Sequence, residues 1–264
     1  MDERRASNDS QNNLMRNLKL VVSYDGFDFS GWQVQPGAAT VQGTLATAIR
    51  RLTGEKVLPQ GSGRTDAGVH ALAQVAHLSI QAPIPPENLV TALNDLLPAS
   101  VRVLEAREVA FQFHARKSAR AKTYQYRIFR GAICPPFLAR YVWHFPYVLE
   151  EQAMREAAGL IIGEHDFTSF RAAAPERRKD QSKAGNVRII FTSAWERVGD
   201  ELVYTVRGNG FLQHMVRNLV GTFILIGKGS RRPHDLPRIL RARNRAEAGA
   251  TAPASGLYLV AVEY

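Results

Sequence analysis

The chain has 264 residues, enough for one large domain or two small ones, and its 45% hydrophobic content is normal for a packed globular protein. No run approaches the roughly 18 apolar residues of a membrane span, and the one cysteine excludes an intrachain disulfide and a thiolate-rich metal site. With 34 Lys and Arg against 24 Asp and Glu, the net charge is +10, which predicts a polyanionic partner.

The amino-terminal part of the chain is predicted to be a tail followed by an α+β half over 18–110. Residues 1–17 are polar and charged without an apolar signal-type segment, so we expect a disordered tail on a cytoplasmic protein. Apolar residues at helical spacing predict a helix over 40–54, with Thr40 as its N-cap and Gly54 as its stop. The other predicted elements are a strand over 18–24, a strand around Val57, a strand over 73–81, a helix over 86–98 and a strand over 100–109.

Residues 111–264 repeat this pattern loosely and form the second predicted half. The predicted elements are a strand over 122–130, a helix over 150–163, strands over 187–199 and 201–209, helices over 212–229 and 235–244, and a strand over 256–264. The chain is therefore expected to be α+β, with two similar halves that flank a basic central cleft. Each half is expected to be a mostly antiparallel sheet with helices on one face.

The segment GSGRTDAGVH (61–70) nearly matches two phosphate-binding loops and completes neither. The dinucleotide-binding fingerprint needs a third glycine where Asp66 stands, and a carboxylate would repel a pyrophosphate. A P-loop needs Lys and then Ser or Thr where Val69 and His70 stand. What remains is Asp66 on a tight turn, two residues after Arg64. An aspartate in this place either caps the turn through its own backbone or supplies a carboxylate for catalysis.

Three basic stretches hold much of the excess charge, over 115–130, 171–188 and 231–245. The first contains six Lys or Arg and no acidic residue, together with Tyr124 and Tyr126. Solvated helix faces explain many such runs. Arginines for phosphates and rings for stacking are also the means by which proteins hold unpaired RNA, so these stretches favour an RNA partner.

Arg217 stands among apolar residues in HMVRNLVG (214–221), which favours its burial against a partner. A buried arginine needs a carboxylate, and Asp66 is the natural candidate. We therefore expect Asp66 and Arg64 from the first half to meet Tyr124 and Arg217 from the second half in the cleft. The seven histidines show no metal-binding spacing, so the sequence gives a catalytic metal little support, while a general-acid histidine stays open.

Eight segments of the chain, in order, resemble the bacterial tRNA pseudouridine synthase A family. They are YDG…GWQ (24–33), VQGTL (41–45), GRTDAGVHA (63–71), FHAR (113–116), KTYQYRI (122–128), DFTSF (166–170), HMVRNLVG (214–221) and GLYLVAVEY (256–264). The resemblance runs from about Leu18 to Tyr264. It implies conversion of uridine to pseudouridine at positions 38, 39 and 40 of the tRNA anticodon stem-loop. It also implies no organic cofactor, no metal and a homodimer that uses one tRNA across both subunits, and the lack of an apolar span argues against a membrane partner.

The resemblance also assigns roles to individual residues. The family's catalytic aspartate falls on Asp66, and the arginine implicated in flipping the target nucleotide falls on Arg64. The uracil-stacking tyrosine falls on Tyr124, and the arginine that pairs with the aspartate falls on Arg217. The family's RNA contacts near FHAR and after DFTSF fall on Phe113, His114, Ala115, Arg116, Lys117, Arg177 and Arg178.

Two other functions stay open from the sequence alone. A non-catalytic RNA-binding or RNA-folding protein would use the same basic stretches and Tyr124 but leave Asp66 idle. A carboxylate-dependent nucleosidase would release uracil, which gives no reason for the pocket to retain the base. Isomerisation leaves the mass of the RNA unchanged and base loss lowers it, so the mass of the product separates these two reactions.

Overall fold

The computed structural model of the protein describes residues 15–172 and 185–264. The chain folds into two compact units: the first runs to Ala119 and includes Tyr264, and the second runs from Arg120 to Glu263. The sequence pattern placed the division after residue 110. The segment 111–119 belongs to the first unit because its backbone and rings are held there, as the hydrogen bond from the Tyr264 hydroxyl to the Ala115 carbonyl (2.8 Å) illustrates.

The first unit is a mostly antiparallel sheet with two helices among its described residues. Its described elements are β1 (Arg16–Tyr24), α1 (Val41–Thr53), β2 (Gln60–Gly61), β3 (His70–Ile80), α2 (Pro86–Leu96) and β4 (Val101–Glu108). β1 lies between β3 and β4 and is antiparallel to both, and β2 pairs with β3. The alternate residues Leu18, Leu20 and Val22 of β1 are fully buried, as expected for a sheet with one face in the core. This sheet carries the loop that contains Asp66, between β2 and β3.

The second unit is a larger sheet with three helices among its described residues. These elements are β5 (Ala121–Phe129), β6 (Trp143–His144), α3 (Glu151–Gly159), β7 (Gly163–Asp166), β8 (Val187–Val198), β9 (Glu201–Gly208), α4 (Met215–Gly227), α5 (Asp235–Ala242) and β10 (Leu257–Glu263). The strand order is β10-β5-β9-β8-β7 with antiparallel neighbours, and β6 adds a short parallel pair to β5. Its core contains Tyr204, whose ring lies 4.9 Å from that of Trp195 and 5.2 Å from that of Phe223.

The predicted α+β class with mostly antiparallel strands is confirmed, and so are the ends of the first helix. The Thr40 hydroxyl accepts a hydrogen bond from the Gly43 N–H, and Gly54 ends α1 in the left-handed conformation (φ 77°). Other boundaries differ. The helix predicted over 150–163 ends at Gly159, and the strand β7 begins at Gly163. Gly159 weakens the helix, and Gly163 has a φ of 105°, which a helix does not allow.

The strand predicted around Val57 is wrong, because regular pairing is limited to Gln60–Gly61. Side chains hold the preceding segment instead: the Glu55 carboxylate accepts the Gln81 and Ala82 N–H groups, and the Gln42 amide donates to the Pro59 carbonyl.

The strand predicted over 18–24 begins two residues earlier, at Arg16. Arg16 donates to the Ala82 and Ile84 carbonyls, and Asn17 donates to the Ala110 carbonyl. The apolar pattern used to predict strands gives no information about polar residues such as Arg16 and Asn17, whose side-chain hydrogen bonds hold the start of β1.

Candidate active site

Asp66 and Arg64 lie on the loop that joins β2 to β3. The Ser62 N–H donates to the Val75 carbonyl (2.7 Å) and the Val69 N–H donates to the Asp66 carbonyl (3.2 Å), so both ends of the loop are closed by backbone hydrogen bonds. Asp66 is half-buried, whereas Arg64 is exposed. The loop therefore carries a partly exposed carboxylate and, two residues earlier, a solvent-exposed guanidinium.

Backbone hydrogen bonds join the segment YDG…GWQ (24–33) to this loop. The Trp32 N–H donates to the Thr65 carbonyl (3.1 Å), and the Gly68 N–H donates to the Phe29 carbonyl (3.3 Å). A Cβ on Gly26 would lie 2.0 Å from the Val69 carbonyl oxygen, so only glycine allows the two backbones to approach this closely. In the sequence, this segment stands out only through the family resemblance. Its two glycines, which allow close backbone approach, and its tryptophan are the sequence features that could have indicated packing against a neighbouring turn.

Four buried polar side chains lie beneath the same loop. The Tyr24 hydroxyl and the Thr65 hydroxyl share a hydrogen bond of 2.8 Å, and the Ser62 hydroxyl donates to the Gln74 side-chain oxygen at 2.6 Å. The Gln74 amide nitrogen donates to the Gly63 carbonyl at 3.1 Å. Burial raises the pKa of Tyr24 to about 12, and hydrogen bonds with Thr65 and Gln74 act in the opposite direction. Tyr24 is therefore a neutral hydroxyl at physiological pH, and sequence spacing gave no sign of this cluster.

Tyr124 lies on β5 in the second unit and is 8% exposed. The Phe211 ring meets it edge to face, with 5.0 Å between the ring centroids. Its strand neighbours are Val206 of β9 and Leu259 of β10, so the backbone on both sides is fixed by the sheet. A tyrosine held in this way has a fixed ring plane, which suits it to stacking on a planar base.

Tyr126, two residues after Tyr124 on the same strand, is fully buried and serves the core. Its hydroxyl donates to the Pro253 carbonyl at 2.7 Å. Burial raises the pKa of Tyr126, and the positive charge of Arg217 acts against this rise. Tyr124 and Tyr126 are two positions apart on β5 and so share one face of the sheet. Because Tyr126 is fully buried and its hydroxyl is bonded, Tyr124 is the candidate for stacking.

Arg217 lies in the first turn of α4 and is half-buried. Its Nε–H donates to the Ala252 carbonyl (2.7 Å), and the Ala252 N–H donates back to the Arg217 carbonyl (3.2 Å). The following residue, Asn218, is fully buried and accepts hydrogen bonds from Thr251 (2.7 Å) and Arg245 (3.0 Å). The helix and the segment 249–252 therefore fix the start of the Arg217 side chain.

The expected RNA contacts of the FHAR segment separate into structural and exposed residues. The ring of Phe113 lies 4.9 Å from that of Tyr264, and that of His114 lies 4.5 Å from that of His77. Ala115 is fully buried. Arg116 and Lys117 are exposed, so they are the members of the segment whose charges face solvent. Arg177 and Arg178 lie outside the described residues.

The predicted site residues thus fall into two pairs. Arg64 and Asp66 share one loop of the first unit, and Tyr124 and Arg217 belong to the second unit. Their meeting stays a prediction. Within 15–172 and 185–264, no three His, Cys, Asp or Glu side chains are grouped so that they could hold a metal ion. No helix in this described part of the chain has the length and apolar character needed to cross a membrane.

The family model described as tRNA pseudouridine synthase matches residues 20–116 and 157–264, which include Asp66 and Arg217. The chain therefore belongs to the tRNA pseudouridine synthase family, a family of isomerases. The relatives that it resembles are proteins named tRNA pseudouridine synthase A. That of Solibacter usitatus is 51% identical over 95% of this chain and 100% of its own. Those of Bacillus pumilus (47%, over 94% and 98%) and Brevibacillus brevis (44%, over 95% and 100%) are similar along the same length.

Proposed function

We propose that this protein converts uridine to pseudouridine at positions 38, 39 and 40 of the tRNA anticodon stem-loop, with Asp66 as the essential carboxylate. Family membership over nearly the whole chain supports the reaction and the tRNA substrate. The observation that carries the role of Asp66 is its loop: a half-buried carboxylate on a turn that YDG…GWQ and four buried polar side chains hold in place.

The reaction conserves every atom of the substrate. The bond from N1 of uracil to the ribose carbon breaks, the base turns, and C5 forms a bond to the same carbon. C5 loses a proton and N1 gains one, so the reaction needs no oxidant, no reductant and no water. An ionised Asp66 fits this balance in three ways: it attacks the ribose carbon, it adds to the uracil ring, or it removes a ribose proton to give a glycal.

The other site residues have roles in this proposal that follow from the family resemblance and from their chemistry. Tyr124 retains the detached base by stacking, which a fixed ring plane favours. Arg217 pairs with the Asp66 carboxylate and orients it, a role suited to a guanidinium because its planar fork matches a carboxylate. Arg64, exposed on the same loop, fills the space that the flipped nucleotide leaves.

The proposal includes partners and a location. Arg116 and Lys117 bind tRNA phosphates, because they are exposed cations next to the first unit's sheet. A homodimer lets the protein contact both the anticodon arm and the body of one tRNA, which a single 29.3 kDa chain is too small to span. The protein is placed in the cytoplasm, where it meets its tRNA substrate. Light scattering at micromolar concentration is expected to show a dimer, and a monomer would contradict this part of the proposal.

The experiment that tests the function is chemical mapping of pseudouridine in tRNA after incubation with the purified protein. We expect new pseudouridines at positions 38, 39 and 40 in substrates that carry uridine there, with no change in RNA mass. A loss of mass would indicate base release by a nucleosidase. Tight tRNA binding with no pseudouridine would show a non-catalytic RNA-binding protein. Activity should also survive chelation by EDTA once the tRNA is folded, because the reaction needs no metal.

A further inference from the structure

We propose that Tyr24 and Gln74 are positioning residues for the reaction, which act by fixing the backbone of residues 62–65 on both sides of Arg64 and directly before Asp66. The inference rests on the proposed function of Asp66. Neither residue is expected to touch the RNA, because Tyr24 is 4% exposed and Gln74 is fully buried.

The hydrogen bonds of these two residues are directed at the loop. Gln74 accepts from the Ser62 hydroxyl with its oxygen (2.6 Å) and donates to the Gly63 carbonyl with its nitrogen (3.1 Å). Tyr24 bonds the Thr65 hydroxyl (2.8 Å), and Gln74 lies near enough to Tyr24 to lower the pKa of its hydroxyl. Two adjacent buried side chains therefore hold residues 62, 63 and 65 from the core side of the loop. Arg64 is left exposed between these three fixed points.

Stability alone does not require polar groups at these positions. A buried polar group costs free energy unless it is hydrogen-bonded, whereas an apolar side chain of the same size fills a core without this desolvation cost. A satisfied polar network, in contrast, specifies one arrangement of the chain that it bonds. The loop here is Gly-rich, and backbone hydrogen bonds hold it at its ends and at Thr65 and Gly68. The buried side chains add contacts to Ser62, Gly63 and the Thr65 hydroxyl.

Accurate placement of Asp66 is what such a network would supply. Catalytic groups need to be held within about 0.5 Å of the productive geometry by residues that are themselves locked by packing and hydrogen bonds. A displacement of about 1 Å can lower a rate by about a hundredfold. Thr65 is the residue before Asp66, and both its hydroxyl and its carbonyl are bonded, to Tyr24 and to the Trp32 N–H (3.1 Å).

The molecule offers a matched control for the loss of a buried tyrosine hydroxyl. Tyr204 in the second unit is fully buried, and its hydroxyl lies 2.8 Å from the Ser193 hydroxyl, the same contact that Tyr24 makes with Thr65. Burial raises the pKa of both tyrosines, so both hydroxyls are neutral. Tyr24→Phe and Tyr204→Phe thus remove the same kind of hydrogen bond. The first is next to the Asp66 loop, and the second is in the other unit.

The test compares these variants in single-turnover pseudouridine formation, tRNA dissociation constant and thermal unfolding. We expect Tyr24→Phe to lower the rate by about tenfold to a hundredfold at saturating tRNA with an unchanged dissociation constant. Tyr204→Phe should lose a similar amount of thermal stability and keep the rate. Thr65→Val should behave like Tyr24→Phe, whereas Thr65→Ser, which keeps the hydroxyl, should retain most of the rate.

Equal rates for Tyr24→Phe and Tyr204→Phe would overturn the inference, since the hydroxyl would then serve stability alone. A rate loss in Thr65→Ser as large as in Thr65→Val would also count against it. If the wild-type protein binds tRNA and forms no pseudouridine, the proposed function fails and this inference fails with it. An active wild type whose Tyr24→Phe variant is equally active overturns the inference and leaves the proposed function intact.

Discussion

At the scale of single residues, His77 on β3 connects the first unit's sheet to the FHAR segment. The Ala115 N–H donates to its Nδ1 at 3.2 Å, and its ring lies 4.5 Å from that of His114. The pKa of His77 is lowered, first by burial and then by the charge of His114. Protonation of His77 therefore opposes the folded arrangement of this segment.

This shift predicts a pH dependence of stability. The pKa of His77 in the folded protein lies below its ordinary value of 6.5, so the unfolded chain binds the proton more readily. The contribution is present above pH 6.5 and is lost as the pH falls through the lowered pKa. His77→Gln keeps an acceptor for the Ala115 N–H and removes the titration. Urea unfolding at pH values of about 7.5 and about 5.5 should show a smaller loss of unfolding free energy in the variant. If both proteins lose the same unfolding free energy between these pH values, the predicted contribution of His77 is wrong.

The site residues differ in how far the sequence could predict them. The loop pattern singled out Asp66 because it fits no phosphate-binding motif, but it left turn capping and catalysis both open. The family resemblance assigned the catalytic role, which stays a prediction. Ser62, Tyr24 and Gln74 could not be predicted, because their contacts join residues 11 or more positions apart and depend on the register of β3. Hydrogen bonds between such distant positions leave no periodic signal in a single sequence.

At the scale of elements, α4 crosses the segment 249–252 at very short range. A Cβ on Gly221 would lie 1.7 Å from the Ala250 carbonyl oxygen, and a Cβ on Gly249 would lie 2.5 Å from the Gly221 carbonyl oxygen. The Gly249 N–H donates to the Thr222 hydroxyl at 2.9 Å. This crossing lies one helical turn after Arg217, so it fixes the part of the backbone from which the Arg217 side chain extends.

Gly221→Ala is expected to destabilise the protein by about 3 kcal/mol or more, because backbone rather than a flexible side chain occupies the place of the new methyl group. Gly159→Ala is the matched control: it lies in a helix and has nothing within 4 Å of its Cβ position, so it should be neutral or stabilise by up to about 1 kcal/mol. Urea unfolding followed by circular dichroism measures both changes. A Gly221→Ala variant as stable as the wild type would show that the crossing is looser than described.

Most long elements were predictable, and the short ones were not. α1 has apolar residues at helical spacing between a capping threonine and a glycine, and all three signals were confirmed. β6 and β7 have two and four residues, too few to show a period. The order of the strands could not be predicted either. β5 pairs with β9 and β10, which follow it by more than 70 residues, and such pairings depend on the whole fold.

At the scale of the whole molecule, the net charge of +10 predicts that tRNA binding weakens with salt. Replacing Arg116 and Lys117 by Ala removes two exposed cations. The slope of log affinity against log salt should then decrease by roughly one to two units for all tRNAs. The exchange Arg116→Lys with Lys117→Arg keeps both charges and should keep the slope. If the alanine variant has the wild-type slope, these residues lie off the RNA path.

The most direct measurement of the central claim pairs two quantities for wild type and Asp66→Asn: single-turnover pseudouridine formation and the tRNA dissociation constant. The substitution keeps the size of the side chain and removes the charge that all three roles of Asp66 require, so the rate should fall by several orders of magnitude. Affinity should stay the same or rise slightly, because a neutralised carboxylate no longer repels a polyanion. Circular dichroism checks the fold. Near wild-type pseudouridine formation by Asp66→Asn would show that Asp66 only shapes its turn and would contradict the account.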